Sequence, residues 1–267
     1  MDTQYQSNNL AERHILILSD FVGCGNVAMA TSRGVLTRLG HRAYCLPTAL
    51  ISNTWNLGPC AQLDTTAYLR SSLENWQQLG IRLDGVLLGY LADENQACFL
   101  TEQCAIWHRE GVKVFFDPIF ADNGKLYRGI TRERLDFLKG MLPQVDYVLP
   151  NLTEAQFLTG ETDPARALQG LLGVGAGTAV ITGVPREEGC AVLLGSGSEG
   201  KALPYTPIPG SFSGAGDAFS ALFVGFVLSG LSAEESARKA MDTTKQWLRR
   251  SLEENWQGVG LPVERYF

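Results

Sequence analysis

Residues 209–220 read Pro-Gly-Ser-Phe-Ser-Gly-Ala-Gly-Asp-Ala-Phe-Ser and lead directly into an apolar run that ends at Leu228. Glycine permits backbone conformations and close approaches that a Cβ atom would block. The first amides of a helix have no partner within it and point outward at the positive end of its dipole. The stretch therefore predicts a glycine-rich turn that opens a helix and can hold phosphate oxygens, with Asp217 in the first helical turn.

A carboxylate at position 217 has two interpretations. It can cap the helix, as Asp often does at helix starts. It can also accept the proton of a hydroxyl group that attacks a γ-phosphoryl group, because phosphoryl transfer needs positioning, charge neutralisation and a proton acceptor. Such general-base help contributes about 10²–10⁴ in rate, which is roughly 3–5 kcal/mol. The turn by itself leaves both interpretations open.

On either side of this turn, short apolar runs alternate with longer amphipathic ones. Strands are predicted at residues 14–19, 42–47, 85–90, 112–117, 147–151, 179–183 and 190–194. Helices are predicted at residues 26–39, 65–79, 94–109, 131–141, 153–158, 164–172, 215–229 and 233–251. This alternation indicates βαβ units and a mostly parallel sheet. We expect an α/β fold in a single domain, 1–267, with a polar tail at 1–13 and a segment after Asn255 that packs on the surface.

Five of the predicted strands end in polar or conformationally special residues. These endings are Ser19, Gly89-Tyr90, Asp117-Pro118, Pro150-Asn151 and Thr182-Gly183. In open α/β sheets, ligands bind outside the carboxyl ends of the strands. We therefore expect these residues to surround one site at one edge of the sheet.

Composition limits the function classes. The chain has 267 residues and a net charge of −6, which argues against a general nucleic-acid binder because a phosphate backbone attracts a basic surface. The six cysteines include no C-x-x-C pair and the three histidines are scattered, so the usual zinc patterns are absent. The first 13 residues lack the apolar core of a signal peptide, and no apolar run reaches the roughly 18 residues of a membrane span. We expect a protein of the reducing cytoplasm with no membrane partner.

The segment Gly214-Ala215-Gly216-Asp217, followed by Ala-Phe, resembles the C-terminal signature of the ribokinase superfamily. The resemblance implies a ribokinase-like three-layer sandwich with helices on both faces of a mostly parallel central sheet. It also implies ATP as the phosphoryl donor, an anion hole at Gly214, Ala215 and Gly216, and Asp217 as the catalytic base.

Further segments narrow the resemblance to the bacterial pyridoxal (vitamin B6) kinases. They lie in family order between about residues 14 and 230, and they are Ser19, residues 46–54, Gly89-Tyr90, Asp117-Pro-Ile-Phe-Ala-Asp122-Asn-Gly-Lys-Leu-Tyr127 and Leu149-Pro-Asn151-Leu-Thr-Glu154-Ala. The resemblance implies transfer to the 5′-hydroxymethyl group of pyridoxal, pyridoxine or pyridoxamine. It also implies a homodimer, since this family commonly forms dimers.

The resemblance assigns further site residues. Three carboxylates are candidates to hold the Mg²⁺ that accompanies ATP, which usually needs only one or two: Asp117, Asp122 and Glu154. The predicted nucleotide contacts are Asn151, Thr182 and Gly183. The predicted substrate contacts are Ser19, Thr54 and Tyr90. Plainer roles stay open for several of them, namely a helix-start Glu for Glu154, a turn Asp for Asp122, a structural Thr182 and a core Tyr90.

Three departures from the family pattern bear on the acceptor. The family's Ser-Asn-His-Thr is shortened here to Ser52-Asn53-Thr54. Leu149 stands where the family has Thr before Pro-Asn. Gly-Ala-Gly-Asp is the form found in sugar kinases, whereas B6 kinases commonly have Gly-Thr-Gly-Asp.

The alternatives therefore come from different classes. One is another kinase of the superfamily, acting on a hydroxymethylpyrimidine, a sugar or a nucleoside. A second is a catalytically silent protein that binds a B6 vitamer or a nucleotide, although pure binding needs no base at Asp217. A third, a Rossmann dehydrogenase, would need Gly-x-Gly-x-x-Gly after the first strand, where this chain has Gly23-x-Gly25 followed by Ala28.

Overall fold

The computed structural model describes residues 12–210 and 212–266. Within these residues most strands join one nine-stranded sheet, and two more form a separate hairpin. The strands are β1 (His14–Val22), β2 (Arg42–Ile51), β3 (Gln62–Asp64), β4 (Gly85–Leu88), β5 (Lys113–Phe116), β6 (Ala121–Asp122), β7 (Lys125–Leu126), β8 (Tyr147–Val148), β9 (Thr178–Pro185), β10 (Cys190–Ser196) and β11 (Glu199–Tyr205).

The strand order in the large sheet is β11-β10-β9-β8-β5-β4-β1-β2-β3. Neighbours from β9 to β2 pair in parallel, whereas β3, β10 and β11 join the two edges antiparallel. The five strands with polar endings, β1, β4, β5, β8 and β9, are thus side by side and run in one direction. Their carboxyl ends share one edge of the sheet, as predicted, whereas a single site formed by these residues stays a prediction.

Helices connect the strands and close the chain. They are α1 (Ala28–Arg38), α2 (Thr66–Gln78), α3 (Glu94–Arg109), α4 (Arg132–Met141), α5 (Leu152–Thr159), α6 (Pro164–Val174), α7 (Ala215–Leu228), α8 (Ala233–Glu253) and α9 (Val263–Tyr266), with short 3₁₀ turns at Trp55–Leu57 and Leu142–Gln144. Among the helices described, none is long and apolar enough to cross a membrane.

The sheet is covered on both faces, and alternate residues of each strand face opposite ways. On one face Leu16 and Leu18 of β1 join a buried cluster that includes Leu100 of α3. On the other face Ile15 and Ile17 join a second cluster, which contains α1, α7, α8 and α9 side chains. The expected α/β class, with helices on both faces of a mostly parallel sheet, is confirmed.

The prediction for the segment after Asn255 was wrong. Leu261, Val263 and Tyr266 are almost completely buried, and they belong to the cluster on the α7 side of the sheet. A segment this short carries little sequence signal for burial, but its apolar residues fill the space between α1 and α8. Residues 1–11 of the predicted polar tail lie outside the described residues.

Candidate active site

Asp217 lies in the first turn of α7, and Gly214 begins that helix in the left-handed conformation at φ 84°. The Ala215 N–H donates to Phe212 O at 3.2 Å, which closes the turn. The Gly216 and Asp217 amides fall in the first turn, where a helix has no acceptor further back. The turn therefore presents amides beside a carboxylate, as the sequence predicts.

The Asp217 carboxylate is held by a distant backbone amide. Ala28 N–H donates to Asp217 Oδ2 at 2.7 Å. Burial raises the pKa of Asp217 above its ordinary value, and the Ala28 N–H acts in the opposite direction. Ala28 itself has φ 49°, a left-handed conformation that costs a non-glycine residue about 1–3 kcal/mol. A strained backbone that meets a half-buried carboxylate is typical of a functional site.

A second carboxylate, Asp20, lies near Asp217 and was not predicted. Asp20 is only 8% exposed, and its Oδ1 accepts a hydrogen bond from Ser19 Oγ at 3.1 Å. Burial, followed by the charge of Asp217, raises the pKa of Asp20 to about 7. The strand-end pattern named Ser19 but stopped one residue early, because β1 continues past a bulge to Val22.

Asp117 follows β5 and is joined to α7. Ser220 Oγ donates to Asp117 Oδ2 at 2.6 Å, while among the described residues no hydrogen bond reaches Oδ1. Burial first, then the charge of Glu154, raise the pKa of Asp117 well above its usual range, although the Ser220 hydroxyl lowers it. Ser220 was missed by sequence reasoning because a Ser in an apolar helix carries no local signal.

Glu154 is buried at the start of α5. Its Oε1 accepts from Phe120 N–H at 2.9 Å and Ala121 N–H at 3.3 Å, and Oε2 accepts from Asn151 N–H at 2.9 Å. The Asn151 side chain caps the same helix and donates to Ala121 O at 2.7 Å. Burial raises the pKa of Glu154 to about 7 despite these three amides. Glu154 thus caps the start of α5, which is the plainer role considered for it from the sequence. It also interacts electrostatically with Asp117 and Asp122.

Asp122 is exposed and bonded within its own turn. Its two oxygens accept from the backbone and side-chain nitrogens of Asn123 at 2.8 and 2.9 Å. Over residues 12–210 and 212–266, no group of three His, Cys, Asp or Glu side chains is arranged to hold a metal ion. Glu154 interacts electrostatically with both of the other predicted metal ligands. The charge of Asp122 raises the pKa of Glu154, and the charge of Glu154 raises the pKa of Asp117.

A cavity of about 240 Å³ opens next to the α7 turn. Thr182 and Gly183 of β9 form one side of it, together with Gly216. The remaining lining residues come from β10, β11, the loop after β11, α7 and one face of α8, and they are Val192, Tyr205, Thr206, Ile208, Ala215, Phe219, Met241, Thr244, Lys245 and Leu248. A largely apolar wall with a few polar groups suits a nucleoside.

The α8 wall of this cavity could have been found from the sequence only once the helix was known to face it. Residues 241, 244, 245 and 248 repeat at the spacing of one helical face. Another cavity, of about 310 Å³, lies by α4 and α5 and is lined by Arg132, Glu133, Leu135, Asp136, Lys139, Phe157 and Leu158. None of the predicted site residues lines that second cavity.

Two of the predicted substrate residues lie together. A Cβ atom on Gly89 would overlap the Ser19 side chain, so the glycine lets β1 and β4 end in close contact. Tyr90 follows, largely buried; its carbonyl accepts from Thr48 Oγ1 at 2.6 Å and its hydroxyl from Gln62 Nε2 at 3.4 Å. The Arg134 guanidinium lies over the Tyr90 ring at 5.5 Å.

Thr54 has local contacts. Its carbonyl accepts from Asn53 Nδ2 at 3.2 Å, and it precedes the 3₁₀ turn Trp55–Leu57. Its Oγ1 is buried and has no hydrogen-bond partner in the described part of the chain. A buried hydroxyl without a partner is costly, so Thr54 has an unused donor to offer.

Residues 83–251, more than half of the chain, match the model of the pfkB family of carbohydrate kinases, and the chain belongs to that family. One similar protein is the pyridoxal kinase PdxY of Rubrobacter xylanophilus, 29% identical over 90% of this chain and 88% of that protein. The cytidine kinase of Thermococcus kodakarensis is 32% identical, over 49% of this chain and 47% of its own.

The solved structures give the same fold. The pyridoxal kinase of Lactobacillus plantarum has a TM-score of 0.84 at 24% identity, covering 94% of both chains. The expected ribokinase-like three-layer sandwich is thus confirmed.

Proposed function

We propose that this chain transfers the γ-phosphoryl group of ATP to the 5′-hydroxymethyl group of pyridoxal, pyridoxine or pyridoxamine, forming the 5′-phosphate and ADP, with Asp217 as the base. The observation that carries the proposal is the position of Asp217. Its carboxylate is half-buried, held by Ala28 N–H, and stands in the first turn of α7 beside the cavity that Ala215 and Gly216 help to line. Membership of a kinase family and the relatives named pyridoxal kinase support the reaction and the acceptor.

The nucleotide is proposed to lie along the α7 side of the sheet edge. The base and ribose occupy the cavity between β9, β11 and α8, where apolar side chains such as Phe219 and Leu248 contact them. Thr182 and the left-handed Gly183 lie beside the phosphates, and Asn151 is paired with Thr182 across a parallel bridge. The phosphate chain then runs to the amides of Gly214, Ala215 and Gly216. The Ala215 amide must exchange its weak bond to Phe212 O for a phosphate oxygen.

The carboxylates suit the Mg²⁺ that arrives with ATP. Asp117 and Glu154 are both buried, and the charge of Glu154 raises the pKa of Asp117, so a divalent cation would offset the repulsion between their ionised forms. Asp117 Oδ1, which accepts no hydrogen bond among the described residues, would serve as a ligand. Glu154, whose two oxygens accept from backbone amides, would hold waters of the cation. Asp122 would have to leave Asn123 to take part. When bound, the cation neutralises charge on the phosphates.

The chain's own residues then supply the transfer step. Ser19, Tyr90 and Thr54 orient the vitamer so that its hydroxyl lies against Asp217. Asp217 takes the hydroxyl proton as the oxygen bonds to the γ-phosphorus, and the bond from that phosphorus to the bridging oxygen of ADP breaks. The first-turn amides of α7 and the dipole behind them stabilise the charge on the phosphoryl oxygens. Burial favours this role, since a carboxylate with a raised pKa accepts a proton more readily.

Three further predictions belong to the proposal. The kinase is a single domain spanning residues 1–267, it forms a homodimer, and it works in the cytoplasm. Size-exclusion chromatography with light scattering tests the second of these directly.

An acceptor panel tests the function. Purified protein is incubated with radiolabelled ATP, Mg²⁺ and one of pyridoxal, pyridoxine, pyridoxamine, a hydroxymethylpyrimidine, ribose or cytidine. We expect label in the three B6 vitamers. Transfer to a sugar or to cytidine alone would show that the acceptor is not a B6 vitamer. Tight binding of a vitamer without transfer would support the alternative of a catalytically silent binding protein.

A further inference from the structure

The C-terminal segment, residues 259–264, is bonded to the turn before α1. Asn26 N–H donates to Val259 O at 2.8 Å. The Asn26 side chain donates from Nδ2 to Leu261 O at 2.8 Å and to Glu264 Oε2 at 2.9 Å. Each N–H donor of Asn26 is thus used on a segment more than 230 positions later.

Asn26 in turn sets the backbone that meets Asp217. Its carbonyl accepts from Thr31 Oγ1 at 2.7 Å, which ties it to the first turns of α1. Two residues after it, Ala28 takes its left-handed conformation and directs its N–H at Asp217 Oδ2. A strained conformation persists only where its surroundings over-determine it, and the bonds of Asn26 hold the backbone two residues before Ala28.

The same segment contacts the α7 turn. A Cβ atom on Gly214 would lie 3.1 Å from Asn26 O and 3.5 Å from Leu261 N. A Cβ atom on Gly260 would overlap Asn26 O. Three stretches of backbone therefore pack directly on one another where the proposed base and its amide partner are presented.

We propose that residues 259–264 act through Asn26 as a positioning device for the base, holding the 26–28 turn so that the Ala28 amide fixes the Asp217 carboxylate. The kinetic consequence of this inference rests on the proposed function, whereas the positioning device itself is defined by the contacts described above. Asn26 and Gly260 are positioning residues, since neither lines the nucleotide cavity. Loss of the contacts between Asn26 and residues 259–264 should lower kcat and leave the KM for ATP and for pyridoxal almost unchanged.

The test compares Asn26→Asp, Asn26→Ala and Gly260→Ala with wild type. Asn26→Asp keeps the size of the side chain but loses its donors and places a second carboxylate beside Glu264. We expect kcat to fall about ten-fold or more, because small displacements of a reacting group are costly, with both KM values within about three-fold. The matched control is Arg265→Ala, one residue after the segment, which removes the 3.4 Å ion pair with Glu254 and should keep wild-type kcat.

A second readout does not depend on activity. Hydrogen exchange of the Ala28 amide, followed by NMR, should be slow in wild type and in Arg265→Ala and at least about ten-fold faster in Asn26→Asp. If Asn26→Ala does not fold, Asn26→Asp and Gly260→Ala carry the comparison. Wild-type kcat and a protected Ala28 amide in those variants would overturn the proposal, as would equal kcat losses in Arg265→Ala. A wild-type protein that phosphorylates no acceptor would instead contradict the proposed function, and the exchange data would still decide the positioning role.

Discussion

The Ser220 hydroxyl donates a 2.6 Å hydrogen bond to Asp117 Oδ2, a residue 103 positions earlier in the chain. Ser220 follows Asp217 by three residues on α7, so the two side chains lie on neighbouring positions of one helical face. The helix that carries the proposed base therefore also contacts the carboxylate proposed for the metal. The proposed base on α7 and the proposed metal ligand after β5 are thus linked through a single hydrogen bond.

Ser220→Ala should weaken the use of Mg²⁺. The change removes the group that lowers the pKa of Asp117 and frees its carboxylate to turn. Losing a partner of a metal ligand commonly costs 10–100-fold in metal affinity, so the Mg²⁺ concentration for half-maximal rate should rise about ten-fold. Activity is titrated with Mg²⁺ at saturating ATP. Ser229→Ala, at the far end of the same helix, is the control; equal Mg²⁺ dependence in both variants would contradict the prediction.

Asp20→Asn should stabilise the protein at high pH. The pKa of Asp20 is raised to about 7 in the folded state from 3.8, so folding favours the protonated form. The contribution of Asp20 to the free energy of unfolding is therefore fully present below about pH 4 and is lost as the pH rises to about 7. A shift of about three units corresponds to about 4 kcal/mol at most, and we expect the variant to gain about 2–4 kcal/mol at pH 8 and little at pH 4. Urea denaturation at both pH values, without metal, measures this. A difference that does not change with pH would show that Asp20 keeps an ordinary pKa.

Met241→Trp should block the nucleotide. Met241 lies on the α8 face that lines the 240 Å³ cavity, and an indole there takes space that the base needs. We expect the KM for ATP to rise about ten-fold or more, with the KM for pyridoxal within about two-fold. Gln246→Trp introduces the same side chain on the exposed face of α8 and should behave as wild type. An unchanged KM for ATP in Met241→Trp would move the nucleotide out of this cavity.

Gly89→Ala should disturb the proposed binding site for the vitamer, next to Ser19 and Tyr90. The new methyl group would overlap the Ser19 side chain, so β1 and β4 must separate at their ends. Overpacking of this kind costs about 1–3 kcal/mol, and we expect the KM for pyridoxal to rise about ten-fold while that for ATP stays near wild type. Gly140→Ala, where a Cβ atom meets nothing within 4 Å, is the control. Equal thermal midpoints and KM values for the two variants would refute the contact.

The local patterns predicted much of this fold. Helix α3 begins and ends at the predicted residues, because Asp93 caps it and its apolar periodicity is regular. Asn151 and Glu154 were recognised as a pair, and they form a capping box three residues apart. The glycine-rich turn before α7 was likewise readable, since its residues are contiguous.

The rest could not be predicted because it depends on contacts between distant residues. Asp20 belongs to the site only because β1 continues past its bulge, and Ser220 only because α7 packs against the end of β5. Asn26 bonds to residues about 235 positions away, and no local pattern records such a pairing. The prediction for the final segment was wrong for the same reason: its burial depends on α1 and α8.

The base itself provides the most direct test. Asp217→Asn keeps an oxygen that can accept the Ala28 N–H but cannot take up a proton, so it separates positioning from base chemistry. Single-turnover transfer from ATP to pyridoxal should slow by about 10² or more, while the Kd values for ADP and pyridoxal stay within a few-fold of wild type. Transfer at the wild-type rate in that variant would contradict the account, because the proton would then be accepted by another group.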